Sequence, residues 1–116
     1  MLNLLCYLLN EKLLAIKLNL VYMNVFYRNN LKLVALCDPE LLGKTFREGK
    51  LKLEVKEAFY RGTLVPINEA LKELYEADIG NLVGEKIIEA AIKSGLVNPN
   101  AVIYISGTPH VQTLKL

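Results

Sequence analysis

Pro66–Gly95 reads PINEALKELYEADIGNLVGEKIIEAAIKSG, and how this stretch divides decides the fold. Ile67, Ala70, Leu71, Leu74 and Tyr75 recur at i, i+3, i+4, i+7 and i+8, the apolar stripe of one helix. Pro66 suits its first turn, where a missing N–H is no loss. Glu69, Lys72, Glu73 and Glu76 fall on the solvent side. The pattern resets at Ala77–Asn81. Asp78 and Asn81 are both good helix N-caps. Ile79, Leu82, Val83, Ile87, Ala90 and Ala91 then form the stripe of a second helix. Gly80 and Gly84 each cost such a helix about 1 kcal/mol, which points to close approach by another backbone. Gly95, followed by Leu96 and then Pro99, reads as a glycine C-cap with its hydrophobic partner.

Working outward, the flanks read as short strands. Asn24–Tyr27 and Leu31–Cys37 form a hairpin around Arg28–Asn29–Asn30, because Asn tolerates the left-handed conformation of a tight turn. Leu31, Leu33, Ala35 and Cys37 share one face, and Val34 and Leu36 are apolar on the other, so this strand is central. Asp38–Gly43 is a one-turn helix with Asp38 as cap and Pro39 at its first position. Lys50–Val55 is a strand with Leu51, Leu53 and Val55 inward. Glu57–Tyr60 fits a helical turn or a strand equally. Gly62 makes a turn. Ala101–Ile105 and His110–Leu116 form a last hairpin around Ser106–Pro109. The fold class is α+β: a mostly antiparallel sheet of five or six short strands with a pair of helices packed on one face.

The chain of 116 residues is 53% hydrophobic with a net charge of +2, enough for one modest core and far from a disordered composition. The charge is too small to argue for nucleic acid by itself. Two cysteines and one histidine make no disulfide framework and no metal spacing. Met1–Tyr22 is awkward. Asn10–Glu11–Lys12, Lys17 and Asn19 interrupt its apolar pattern, so it does not span a bilayer, which needs about 20 apolar residues. It lacks the basic start and cleavage site of a signal peptide. Residues 1–22 are read as a doubtful extension ahead of a natural start at Met23, with an extra helix or strand as the other reading. Residues 23–116 are read as a single domain. A cytoplasmic protein is expected, with no cofactor, metal, membrane or DNA.

Four features suggest chemistry. Gly43–Lys44–Thr45 resembles the end of a phosphate-binding loop, but Asp38 stands where that loop needs Gly, and Pro39 removes an N–H. A helix end followed by a strand explains it better. Gly80–Gly84 at a helix start is better explained by packing through small residues than by anion binding. His110 offers acid–base chemistry with Asp38, Glu85 or Cys37, and Cys37 beside a helix N-terminus is a candidate for a lowered thiol pKa. A buried, inert cysteine is the commoner outcome. Arg47, Lys50 and Lys52, with Lys44 and Lys56, make a basic strip interleaved with Tyr27, Phe46, Phe59 and Tyr60, a composition that binds RNA by phosphate pairing and stacking. Glu48, Glu54 and Glu57 dilute it.

CDPELLGKTFREGKLKLEV (37–55), FYRGTLV (59–65), ADIGNLVGEKIIEAAIKSGLVNP (77–99) and VIYISGTPHVQTLKL (102–116) resemble, in order, the archaeal family called domain of unknown function 424. The resemblance covers about Met23–Leu116. It implies a compact α+β domain of archaeal cytoplasm with no activity to carry over. The recurrent polar positions it implies are Cys37, Asp38, Gly43, Lys44, Asn81, Gly84, Glu85, Pro109, His110 and Gln112. The chain departs from the pattern at Pro66–Ile67–Asn68.

Asp38, Lys44, Asn81, Glu85, His110 and Gln112 lie at element ends in three segments, so their convergence on one binding surface is expected. Three functions follow. The first is a non-enzymatic binding domain for RNA or a ribonucleoprotein such as the translation machinery. The second is a small enzyme using His110 with Glu85, Asp38 or Cys37. The third is a homodimeric module pairing through an edge strand.

Overall fold

The computed structural model describes the backbone of residues 4–115 and the side chains from Leu9 onward. Helix α1 (Leu4–Lys17) is followed by strands β1 (Leu20–Arg28) and β2 (Leu31–Cys37), a short 3-10 turn (Pro39–Leu41), and strands β3 (Thr45–Glu48) and β4 (Leu51–Glu54). Then come the one-turn helix α2 (Glu57–Tyr60), β5 (Thr63–Pro66), α3 (Ile67–Glu76), β6 (Ile79–Val83) and α4 (Glu85–Lys93). A second 3-10 turn (Pro99–Ala101) leads to β7 (Ile103–Ile105) and β8 (Thr108–Leu114). Six strands form one sheet in the order β5-β1-β2-β6-β8-β7, and β3–β4 form a separate ribbon. The fold is α+β, as its elements predict. Among the described strands of the large sheet, β2 and β6 pair in parallel and the other neighbours are antiparallel.

The central difference from the sequence reading lies in the stretch that decides the fold. Ile79–Val83 is a strand and does not open the second helix. Its apolar residues fit a helical stripe, but as a strand buried on both faces it needs no polar side, so periodicity alone does not discriminate. Gly80 sits where an added Cβ would lie 2.3 Å from Thr113 Oγ1 and 2.6 Å from Leu74 Cδ1. Close approach explains this glycine, as expected, but within a sheet. Asp78 and Asn81 are therefore not N-caps. Asp78 instead ties β6 to its neighbours: its carboxylate accepts from Lys32 N–H, its N–H donates to Lys32 O, and its carbonyl accepts from Lys115 N–H.

The first helix forms as the spacing predicts, with Ala70 and Leu74 buried. Tyr75, assigned to the inward stripe, is 67% exposed. Pro66 is the cap residue preceding the helix, and also ends β5, a strand the sequence reading passes over. Helix α4 ends as predicted. Gly95 has φ +77°, its N–H donates to Ile92 O, and Leu96 N–H reaches back to Ala91 O.

The turn at Asn29–Asn30 has positive φ at both residues, 52° and 66°, and the last hairpin turns on Ser106–Gly107 alone, 49° and 79°. Thr108 and Pro109 are strand residues, correcting the longer loop expected there. Strand β1 begins at Leu20, ahead of the expected Asn24, with Val21 and Tyr22 buried. Leu51, expected inward, is 52% exposed at the ribbon's tip.

The two faces of the large sheet carry separate cores. Val21, Val34, Leu36, Leu82 and Val111 pack against Ala70, Leu74, Ile87, Ile88 and Ala91 of α3 and α4. Tyr22, Ala35, Cys37, Val83 and Ile105 pack on the other face, against Leu42, Leu53, Val55 and Tyr60. Helices thus cover one face, as expected, while the ribbon and α2 add a third layer over part of the other. Helix α1 docks by polar contacts: Glu11 accepts from Tyr22 Oη at 2.8 Å and from Arg61 Nη2 at 3.0 Å, and Lys12 Nζ donates to Leu42 O at 3.0 Å. No described helix is long and apolar enough to cross a membrane.

Candidate functional site

The six polar residues expected to converge separate into three places. Asp38 is 2% exposed at the end of β2. It does not cap its own 3-10 turn with its side chain. Its two carboxylate oxygens accept from Lys86 N–H at 2.8 Å and Ile87 N–H at 3.0 Å, the free amides of the first turn of α4. Gly84, at φ +117°, makes room for this, since a Cβ there would lie 2.3 Å from Asp38 Cγ. Glu85, next in the chain, is exposed and shares with Asp38, Glu40 and Pro109 a cavity of about 210 Å³. Lys44 is exposed beyond the 3-10 turn, beside Thr45, Glu54 and Glu57. Asn81, His110 and Gln112 stand on the face of the large sheet that carries the ribbon. Asn81 is opposite Gln112 in register, and His110 is opposite Val83.

No side-chain hydrogen bond joins His110 to Cys37, Asp38 or Glu85 among the described residues. His110 Nδ1 lies 2.9 Å from Leu82 O, which accepts only, so that nitrogen carries the proton and Nε2 is left as the acceptor. Val83 stands in register between Cys37 and His110, placing them two strand spacings apart, about 10 Å. Burial pushes the Cys37 thiol well above its ordinary pKa, with Asp38 adding to the shift, and the thiol donates to Asp38 O at 3.0 Å. The lowered pKa expected beside the turn that follows Cys37 is therefore reversed, chiefly by burial. No group of three or more metal-ligating side chains occurs among the described residues.

Asp38 itself titrates unusually. Burial pushes its pKa up to about 6, against the two backbone N–H donors that favour the ionised form. The native state holds this proton more tightly than the unfolded chain, whose Asp titrates near 3.9. Asp38 thus subtracts stability as pH rises from about 4 to about 6 and subtracts no more above that. Urea melts of the native chain and of Asp38→Asn across this window are expected to differ by a slope approaching 1.4 kcal/mol per pH unit at most, roughly. Parallel profiles would contradict the assignment.

Two exposed surfaces adjoin these places. On the ribbon, Arg47 lies opposite Lys52, a like-charge pairing that costs stability. Lys52 Nζ is relieved by Glu54 at 2.6 Å, whose carboxyl that contact holds below its usual range. Arg47 and Lys50 have no carboxylate partner among the described residues. Glu48, which would dilute them, instead accepts from Ser106 N–H at 2.8 Å.

The second surface is the part of the same sheet face that the ribbon leaves uncovered. Phe26, Leu33 and Ile79 lie side by side on β1, β2 and β6. Phe59 of α2 stacks on Phe26, with ring centroids 5.4 Å apart and an interplanar angle of 12°. Together with Arg28 and Leu31 they line a cavity of about 600 Å³. Asn24 Nδ2 donates to Phe59 O at 3.1 Å, and Tyr60 Oη donates to Asn81 Oδ1 at 2.9 Å. Asn81 therefore holds α2 against the sheet, and only Gln112 beside it stays exposed. The sequence reading noted Phe59 and Tyr60 only as aromatics near the basic strip. Pairing Phe26 with Phe59 needs contact across 33 residues, through a one-turn helix whose type the pattern leaves open.

The family model for the protein of unknown function DUF424 matches residues 26–116. The chain belongs to this family. A crystal structure of an uncharacterized conserved protein from Methanopyrus kandleri is similar in fold, with 26% identity and a TM-score of 0.69, covering 81% of this chain and 90% of that one. Among curated proteins no match is found. The matched region contains Asp38, the ribbon and the Phe26–Phe59 pair.

Proposed function

We propose that this DUF424 chain is a non-enzymatic binding domain whose target is RNA, free or within a ribonucleoprotein such as the translation machinery, in the cytoplasm. The observation that carries this reading is the outer face of the ribbon, where Arg47 lies opposite Lys52 with Lys50 at the turn. A folded domain keeps a repulsive cross-strand pair on an exposed two-stranded ribbon at some cost in stability. A polyanion relieves that cost on binding. The engagement of the Asp38 carboxylate by α4, and the burial of the Cys37 thiol against Asp38 O, favour binding over the enzymatic alternative that pairs either with His110.

Binding to a labelled single-stranded RNA tests the reading. Three phosphate contacts are expected to lower affinity roughly fifteenfold between about 50 and 200 mM salt. The triple variant Arg47→Gln, Lys50→Gln, Lys52→Gln is expected to flatten that salt dependence and weaken binding at least tenfold at the lower salt, about the effect of losing two such contacts. An unchanged salt slope would remove the ribbon from the interface.

A further inference from the structure

The groove on the uncovered sheet face has chemistry of its own. Its lining combines aromatic and aliphatic surface with a single charged group, Arg28, and contains no carboxylate. Arg28 is exposed and makes no ion pair among the described residues. Phe26 is 36% exposed, so the aromatic pair is open to solvent. The wall opposite the sheet is fixed in advance: Asn24 and Asn81 both bond to α2. Phe59 is further braced edge-on by Tyr60, with centroids 4.9 Å apart. A wall held by two side-chain hydrogen bonds and an aromatic contact needs little ordering when a ligand enters.

We propose that this groove is a stacking site for unpaired bases, so that the RNA recognised is single-stranded. The proposal rests on the RNA-binding reading above and deepens it. A planar base matches the exposed surface of the Phe26 ring, which Phe59 backs by stacking, and the adjoining phosphate matches Arg28. Gln112, opposite Asn81 on β8, lies outside the groove's lining but is exposed on the same sheet face. The flat apolar floor of Leu33 and Ile79 accommodates any base face, so recognition is by strandedness more than by sequence. A duplex keeps its bases stacked inside and cannot fill the groove without flipping one out. An apolar peptide would fill it without using Arg28.

The test is fluorescence anisotropy on the full chain with short oligouridylate, oligoadenylate and a duplex of matching length, at one low salt concentration. Single strands of either sequence are expected to bind more tightly than the duplex. Phe26→Ala is expected to weaken single-strand binding about tenfold and leave duplex binding unchanged. Arg28→Gln, a surface change that keeps the fold, is expected to weaken single-strand binding several-fold and lower the salt slope by about one contact. If both variants bind single strands as the native chain does while the ribbon triple variant is weakened, the groove assignment is wrong and the RNA reading stands. If the native chain binds no RNA at low salt, both fall. If an apolar peptide is captured instead and Arg28→Gln leaves it unaffected, the groove is a protein-docking site and the stacking assignment is overturned.

Discussion

Gly84→Ala is expected to destabilise the domain by about 3 kcal/mol or more, a large part of the 5–15 kcal/mol that holds a typical domain together. Two costs act together. Gly84 has φ +117°, a conformation that side-chain-bearing residues adopt only with strain. The added methyl would also lie 2.3 Å from Asp38 Cγ and 2.6 Å from Asp38 Cβ. Asp38 cannot swing aside without abandoning the two amides it caps. Urea unfolding followed by circular dichroism measures the loss. A change below about 1 kcal/mol would mean that the turn between β6 and α4 is not built as described.

Asp38→Ala is expected to cost about 3 kcal/mol, by a different route. The methyl leaves the N–H groups of Lys86 and Ile87 without their acceptor, in a region where Asp38 is 2% exposed. Each unpaired buried donor costs roughly 1–3 kcal/mol. Asp38→Asn keeps one acceptor oxygen and is expected to fall between the native chain and Asp38→Ala. Because Gly84→Ala and Asp38→Ala destroy the same cap, the double variant is expected to lose less than the sum of the two. Additive losses would show that the cap is not shared. The readout is the same urea series, with hydrogen exchange at Lys86 and Ile87 reporting the cap directly.

These two residues also mark the limit of what the sequence discloses. Asp38 reads as the cap of the turn that follows it, because Asp-Pro is a local start signal. Its side chain instead caps α4, whose first residue lies 47 positions along the chain, a choice made by tertiary packing. Gly84 and Gly80 read as costly helix glycines. The cost was itself a signal: two glycines four apart argue against the helix as much as for a close neighbour. Alternation of Val34 and Leu36 against Leu33, Ala35 and Cys37 correctly placed β2 at the sheet centre, because a central strand is apolar on both faces. Asn29–Asn30 and Gly95 were legible for a related reason, since positive φ restricts residue type locally. Strand β5 was not legible, being four residues long and ending in proline.

The candidate site was legible only in fragments. Asn81 and Gln112 were selected as polar residues at element ends, and they do meet across β6 and β8. They meet as strand neighbours, with Asn81 engaged by Tyr60. His110 and Asp38 were selected on residue type, and each turns out to be hydrogen-bonded to backbone. The basic residues of the ribbon were placed correctly on an exposed face by simple alternation, as was the inward Leu53. The groove depends on register, on the type of α2 and on a Phe–Phe contact between distant segments, none of which periodicity encodes.

The most direct test of the account is an amide-resolved NMR titration of the full chain with a short single-stranded RNA at low salt. The expected result is that shift changes concentrate at Phe26, Arg28, Leu33, Phe59, Ile79 and Gln112, with a second set at Arg47, Lys50 and Lys52, and that both fade as salt rises. Shift changes confined to the α3–α4 face, or no changes at all under those conditions, would contradict the binding surface proposed for this chain.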